Sequence, residues 1–301
     1  MPDIERIRRI RAEDPALIGE TVRTRRRRPL IAGDGRLFII AADHPARGSL
    51  SVGGRGFAMG SRVSLLERLA AALARPGVDG VLGTPDIIED LALLGALDDK
   101  VVVGSMNRGG LQGATFEMDD RFTAYDVPAM VRDGIDLGKL LVRVNLEDAG
   151  TASVLENSAA AVSAAAAERL PVMLEPFMSC WRDGRIVNDL STDAVVRSVA
   201  IAAGLGDSSA YTWLKLPVVA DMERVAEAAT MPTLLLGGDP TSAQDEVFAS
   251  WQNALALPGI RGLVVGRTLL YPHDDDVVGA VDIAASLVHG TVSTAAAAGA
   301  R

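Results

Sequence analysis

The chain is poor in cysteine, lysine and histidine, and each scarcity narrows what it can do. A single cysteine, Cys180, permits no internal disulfide and no CxxC metal or redox motif. Three histidines, His44, His273 and His289, are few for a catalytic divalent-metal site, which often uses more. No apolar run reaches the roughly 18 residues of a membrane-spanning helix. Positive charge is not in excess: the formal net charge of −9 argues against a nucleic-acid surface. The opening MPDIERIRRIRAED is charged and lacks the apolar core of a secretory signal, so a cytoplasmic location is the default expectation. Only three of the 30 basic residues are lysine: Lys100, Lys139 and Lys215. Arginine is the default cation here, so a lysine in an apolar setting needs a reason.

Against these absences stands a 49% hydrophobic composition, enough for a large core. Short runs rich in Val, Ile and Leu predict strands at Leu37–Ala42, Val78–Leu82, Val101–Ser105, Leu140–Val144, Val172–Leu174, Tyr211–Leu216, Thr233–Leu236 and Gly262–Val265. Little polar alternation interrupts them, as in parallel strands covered on both faces. Helical segments are predicted between them, at Val63–Ala74, Asp86–Leu94, Val127–Asp133, Ser153–Arg169, Asp193–Ala203, Asp221–Ala228 and Ala243–Leu255, with a last one near Val277–Val288. Thr84-Pro85-Asp86 and Ser191-Thr192-Asp193 offer start signals. Eight unbroken strand–helix units predict the α/β class and a closed (β/α)8 TIM barrel, preceded by an extra N-terminal helix at about Asp3–Arg11. No Gly-rich dinucleotide turn follows the first strand, which weighs against an open doubly wound sheet. One domain is expected over 1–289, with a disordered Ala/Ser/Gly-rich tail over 290–301.

In such a barrel, chemistry sits at the C-terminal ends of the strands. Lys215, in YTWLKLPVV near the end of the sixth strand, has apolar neighbours that strip its hydration and favour the neutral amine, the form that attacks a ketone or aldehyde. The plain alternative is a packed stem with its head in solvent at the rim. Glu175, flanked by Met173, Leu174, Pro176 and Phe177, is expected to be desolvated with a raised pKa useful for proton transfer. Asp43 ends the first strand; either acid could instead be a structural acceptor. Lys139 shares a strand face with Leu141, Arg143 and Asn145, and the pattern alone favours a solvated lysine at the barrel bottom. Lys100, after Asp98-Asp99, reads as solvated. Gly237-Gly238 and Asp239 end the seventh strand, and Gly266-Arg267 end the eighth. Glycine lets backbone approach an anion and arginine grips it, so this pair of turns reads as a phosphate site. The Gly-rich segment HPARGSLSVGGRGFAMGS after the first strand is either a lid, with Arg47 and Arg55 near an anionic substrate, or a plain mobile loop. The run Arg25–Arg28 reads as a solvated stretch or an oligomer contact, and His273 and His289 as peripheral.

Five segments, taken together and in order, resemble the class I aldolase superfamily: IIAADHPARGSL, GIDLGKLLVRVN, LPVMLEPFMS, YTWLKLPVV and VVGRTLLYP, spanning about residues 37–272. The nearest similarity is to tagatose-bisphosphate and sulfofructose-phosphate aldolases, with deoxyribose-phosphate and archaeal-type fructose-bisphosphate aldolases further off. The resemblance implies that Lys215 forms a Schiff base, that Glu175 transfers protons, and that Asp43 and Lys139 complete the site. It places Gly237, Gly238, Gly266 and Arg267 on phosphate, with Arg143 and His44 also against substrate. Asp-His-Pro in the first segment, and Arg143 and Asn145 in the second, depart from the nearest relatives and bear on the substrate. A divergent branch tied to inositol breakdown is also similar, and implies cleavage of 5-dehydro-2-deoxy-6-phosphogluconate to dihydroxyacetone phosphate and malonate semialdehyde. No cofactor or metal is implied. The expected partner is a phosphorylated sugar, in a homo-oligomer, with neither nucleic acid nor membrane. Competing readings are a deoxyribose-phosphate-type aldolase, a metal-dependent barrel lyase on Asp43, His44, Glu175 and Asp239, and a non-catalytic sugar-phosphate sensor.

Overall fold

The computed structural model describes residues 2–237 and 243–290. Eight parallel strands close into a barrel: β1 (Leu37–Ala41), β2 (Gly80–Gly83), β3 (Val101–Ser105), β4 (Leu137–Val144), β5 (Val172–Arg182), β7 (Thr212–Pro217), β8 (Thr233–Leu236) and β9 (Ile260–Val265). Their spatial order is β4-β3-β2-β1-β9-β8-β7-β5, and pairing of β4 with β5 seals the ring. An added strand, β6 (Arg185–Asn188), folds back antiparallel on the far end of β5. That hairpin carries β5 well past the predicted end at Leu174 and over the barrel mouth.

Helices alternate with the strands on the outside: α3 (Arg62–Leu73), α4 (Pro85–Leu93), α5 (Val127–Asp133), α6 (Gly150–Ala167), α7 (Thr192–Ala203), α8 (Met222–Glu227), α9 (Gln244–Leu255), a short α10 (Arg267–Leu270) and α11 (Val277–His289). Ser191 caps α7 by accepting from the Ala194 amide, while Thr84 stands before Pro85 at the start of α4. The predicted leading helix is α1 (Ile4–Glu13), and an unpredicted second one, α2 (Ala16–Thr24), follows it, set off at Asp14-Pro15 because proline has no amide to continue the ladder. Both bury an apolar stripe, Ile7 and Ile10 on α1 and Ile18 and Val22 on α2, in the main hydrophobic core.

The pleat sorts side chains into two layers. Phe38 and Ile40 face the helices, while Leu37, Ile39 and Ala41 point inward and meet Val101, Val103, Leu137, Met173 and Trp213. The interior is a packed core at this level. One pleat further toward the C-terminal mouth, Met173 gives way to Glu175, Leu137 to Lys139 and Trp213 to Lys215. The register is staggered: Met173 pairs with Trp213, which sets Glu175 beside Lys215, while Lys139 pairs with Met173 and Leu141 with Glu175, so Lys139 reaches Glu175 from one pleat below. Gly262 is required by the closure. Its φ is 145°, and a Cβ there would stand 1.9 Å from the Leu37 carbonyl oxygen.

The opposite end of the barrel is tied by ion pairs that the sequence reading missed. Arg25, expected in a solvated stretch or an oligomer contact, is buried within the chain and bonds the carbonyls of Val22 and Asp133 together with Asp136; Arg27 shares Asp136, and Arg28 pairs with Asp79. Lys100 is half-buried and donates to the Val78 carbonyl at 2.6 Å. His289, expected to be peripheral, bridges Asp34 and Asp79, with Nε2 3.1 Å from the Asp79 carboxylate. Asp79 also accepts from the Phe38 amide at 2.7 Å, so the histidine fastens the end of α11 to the start of β1. Hydrogen bonding to Asp79, against the cost of burial and with help from Asp34, raises His289 to about 9.

The raised value sets the sign of a pH effect. The ion-paired imidazolium contributes stability fully below the unfolded pKa near 6.5, and the contribution is lost as pH rises through 9. His289→Gln should therefore lower Tm clearly at pH 6, and the gap from wild type should shrink by pH 10. A gap of equal size at both pH values in thermal unfolding would assign the loss to packing instead.

Candidate active site

Three residues predicted at strand ends, Asp43, Glu175 and Lys215, converge inside the barrel mouth, and Lys139 joins them. Glu175 stands between two amines. Its Oε1 lies 3.0 Å from Lys215 Nζ, and its Oε2 is in close contact with Lys139 Nζ. Lys139 also reaches Asp43 Oδ2 at 3.4 Å. The same Asp43 oxygen accepts from Ser105 Oγ at 3.0 Å and faces Arg108 Nη2 at 3.0 Å. The order Lys215–Glu175–Lys139–Asp43–Arg108 is thus a continuous alternation of charge. Relative exposure is 1% for Asp43, 1% for Lys139 and 3% for Lys215, so it lies almost wholly out of water.

Burial and charge compete at Glu175, Asp43 and Lys139. For Glu175 burial alone would raise the pKa, as expected from its apolar neighbours, but Lys139 and Lys215 outweigh it and hold the carboxyl down to about 2. The expectation of a raised Glu175 is corrected. Its sequence neighbours predict desolvation, but the two amines arrive from other strands. At Asp43 burial is likewise overcome, by Arg108 first and then by Lys139 and Lys215, and the group stays ionised well below the usual carboxylate range. Lys139 is lowered to about 8 by burial and by Arg108, against the pull of Asp43 and Glu175. It is not solvated at the barrel bottom, as the pattern alone favoured. It points into the upper interior because β4 begins at Leu137, two residues before it. Burial, then Arg267, press His44 down to about 3, so its imidazole is neutral at physiological pH.

These groups open onto a cavity of about 570 Å³. Gly237, Gly266 and Arg267 line it on the β8–β9 side, with His44 beside them at the end of β1. A Cβ on Gly266 would lie 2.3 Å from the Ala41 carbonyl oxygen, so only glycine lets β9 turn there against β1. Gly238 and Asp239 fall outside the described residues. Arg143 lines the opposite side, and both of its terminal nitrogens bond Glu117, one to the side chain and one to the carbonyl, each at 2.7 Å. Arg47, in a 3-10 turn at Pro45–Arg47, pairs with Asp120 and donates to the Gly110 carbonyl at 2.7 Å. Arg55, from the same loop, turns away and bonds the Tyr271 carbonyl.

Sequence reasoning gave no role to Arg108, Ser105, Glu117, Asp120 or Asn188. Arg108 carried a usable signal, since it stands three residues beyond the end of β3. The acids lie in the middle of a long loop, and only the fold brings them to Arg47 and Arg143. Asn107, also near a strand end, is taken up by paired bonds to the Leu141 backbone at 2.6 and 2.8 Å.

Fold and site together define a (β/α)8 barrel with a lysine–carboxylate–lysine cluster at its C-terminal mouth. The chain belongs to the Cgl0159-like family, whose profile matches residues 35–285. A crystal structure of Cgl0159 from Corynebacterium glutamicum is 64% identical, covers 96% of this chain and 99% of its own, and superposes with a TM-score of 0.93. An archaeal fructose-1,6-bisphosphate aldolase, with its catalytic Lys covalently bound to a carbinolamine intermediate, is 20% identical over 91% of this chain and 100% of that one (TM-score 0.63). A fructose-bisphosphate aldolase from Slackia heliotrinireducens is 15% identical over 93% and 88% (TM-score 0.63). At these identities the two aldolases share the fold. No curated protein matches the chain.

The Asp43–Arg108 contact generates a stability prediction. Removing one partner of a buried pair strands the other charge and costs about 3–5 kcal/mol. Arg108→Met should lose about that much in urea unfolding, and adding Asp43→Asn should cost little more or recover part of it. Losses that simply add would mean that the two side chains are not energetically coupled.

Proposed function

We propose that the chain is a class I aldolase that holds a phosphorylated keto sugar on Lys215 as a Schiff base and splits a carbon–carbon bond. The observation that carries this reading is one carboxylate, Glu175, touching two buried amines at the barrel mouth. A solvated rim lysine would have no such setting, and a metal site would not place a lysine between its two acids, as Lys139 stands between Asp43 and Glu175.

The neutral amine of Lys215 adds to the ketone carbon, and loss of water leaves an iminium. A base then takes the proton from the hydroxyl on the carbon β to the iminium carbon. The α–β bond breaks, its electron pair enters the iminium to give an enamine, and the aldehyde leaves. Protonation of the enamine and hydrolysis release the second product and restore Lys215. Glu175, held near 2 by its two amines, is a weak base at rest. Its place against Lys215 suits it to pass protons to and from the nitrogen as the carbinolamine forms and loses water. Lys139, at about 8, has the affinity best matched to proton transfer near neutral pH. Asp43 stays ionised, and its Oδ1 is left to orient substrate hydroxyls while Oδ2 holds Ser105, Lys139 and Arg108. The phosphate is assigned to the side of Gly237, Gly266 and Arg267. Among specific substrates, 5-dehydro-2-deoxy-6-phosphogluconate, drawn from the sequence resemblance, is the first to try.

Borohydride added with a panel of sugar phosphates that includes this one should leave a reduced adduct on the peptide containing WLKLP. Lys215→Arg and Lys215→Ala should abolish turnover, since neither offers a neutral primary amine. An adduct confined to Lys139, or turnover surviving in either variant, would overturn the reading.

Two further outcomes separate the neighbours. Glu175→Gln should slow adduct formation itself, by about 10²–10⁴-fold, the usual weight of one proton-transfer group. Neutral Lys139 becomes abundant as pH rises through 8, so the adduct rate should climb between pH 7 and 9 and lose that limb in Lys139→Met. A Lys139→Met profile that superposes on wild type would assign the limb to another group.

A further inference from the structure

Three arginines line the cavity on the side of β3 and β4, and two of them are held in place by the loop after β3. Arg47 gives its terminal nitrogens to Gly110, Asn107 and Asp120, and Arg143 gives both of its own to Glu117. Arg108 differs. It is 6% exposed, yet its side chain makes one hydrogen bond among the described residues, from Nη1 to the Asp43 carbonyl at 3.3 Å. Its Nη2 stands 3.0 Å from Asp43 Oδ2 but is not aligned as a hydrogen bond, so that contact is one of charge. Its Nε is buried without an acceptor. A buried guanidinium is costly unless it is both paired and well bonded. A side chain kept to fasten a loop would engage its terminal donors as Arg47 and Arg143 do. What Arg108 brings to the interior is its charge.

The oxygen it faces shows where that charge acts. Asp43 Oδ2 accepts from Ser105 Oγ at 3.0 Å and from Lys139 Nζ at 3.4 Å, and Arg108 approaches the same atom. Lys139 thus shares one carboxylate with Arg108 and holds the other, Glu175, in close contact. Two buried carboxylates around one amine would lock its proton in place. Burial opposes them, with Arg108 beyond Asp43 and Lys215 beyond Glu175, and Lys139 settles at about 8. These four side chains, from the ends of β1, β3, β5 and β7, are the charged groups that face Lys139 among the described residues. Lys215 must itself be neutral to attack a ketone, so it cannot repel Lys139 at that step. A guanidinium keeps its charge throughout.

We infer that Arg108 is a positioning residue that acts through Lys139: by sharing Asp43 Oδ2 with that amine, it leaves Lys139 able to give up and regain a proton while Lys215 reacts. This inference rests on the Schiff-base reading and adds to it a group that touches neither substrate nor Lys215.

The chain has three lysines, so carbon-13 placed at the lysine ε carbon gives three NMR signals, which Lys100→Arg and Lys139→Arg assign. Each signal is followed with pH on the protein without substrate. In wild type Lys139 should titrate near pH 8. Arg108→Gln keeps a donor for the Asp43 carbonyl and loses the charge, so the Lys139 midpoint should rise by about one pH unit or more. Arg108→Met, also neutral, should do the same and serves if Arg108→Gln fails to fold. Arg108→Lys keeps the charge, at the cost of a fourth signal, and should bring the midpoint back toward wild type. The pH limb of borohydride-trapped adduct formation, with the same panel of sugar phosphates, should move upward with the NMR midpoint. A purely structural Arg108 would lower the adduct rate at every pH and leave the midpoint where it was.

A midpoint unmoved in the neutral variants overturns the inference and leaves the aldolase reading standing. So does a wild-type midpoint at or above the ordinary lysine value of 10.5, a measurement that needs no variant. An adduct limb that stays in place while the midpoint moves also overturns it, since Lys139 would then titrate without serving the reaction. A midpoint that moves in a protein that never forms an adduct on Lys215 overturns the Schiff-base reading instead, and leaves the link between Arg108 and Lys139 intact.

Discussion

The carboxylate of Glu175 between Lys139 and Lys215 is the contact on which the site depends. Moving an isolated charge out of water is prohibitive, and a paired one is tolerated only where geometry and further hydrogen bonds are good. Here the compensation runs along a chain of alternating sign from Lys215 to Arg108. Each member is held by neighbours on other strands. The barrel must therefore close in one register for any of these charges to be buried at all, and the pairing of β4 with β5 is what brings Lys139 against Glu175.

Below that layer the interior is apolar and above it the cavity opens, so the charged layer divides a packed floor from a reactive mouth. The same pleat that sends Leu37, Leu137, Met173 and Trp213 into the floor sends Lys139, Glu175 and Lys215 into the next tier. Stability and chemistry share one periodicity. The far end of the barrel solves a similar problem with different residues. Arginines and His289 pair there with acids at strand starts, and the N-terminal helices pack their apolar stripes into the core.

Arginine does two jobs around the mouth. Arg47 and Arg143 give their terminal nitrogens to the long loop after β3, bonding Gly110, Asp120 and Glu117. That loop thereby becomes a fixed wall. Guanidinium suits this, since it stays charged when buried and offers five donors in a rigid fork. Lysine, with a compact and titratable head, appears in the interior only where an amine faces Glu175. The division accounts for a chain with many arginines and three lysines.

The sequence by itself determined the eight strand–helix units, their order and the strand-end position of Lys215, Glu175 and Asp43, because apolar periodicity and chain order are local properties. It placed Gly237, Gly266 and Arg267 at the ends of the last two strands for the same reason. What it could not decide was anything set by approach across the barrel. Glu175 reads as a lone desolvated acid until two amines meet it. Lys139 reads as solvated until β4 is seen to begin at Leu137. The acids that hold Arg47 and Arg143 lie in a loop without periodicity, and β6 exists only because β5 outruns the barrel far enough to pair with it. Charge state and charge pairing depend on neighbours distant in sequence, so they were decided by the tertiary structure alone.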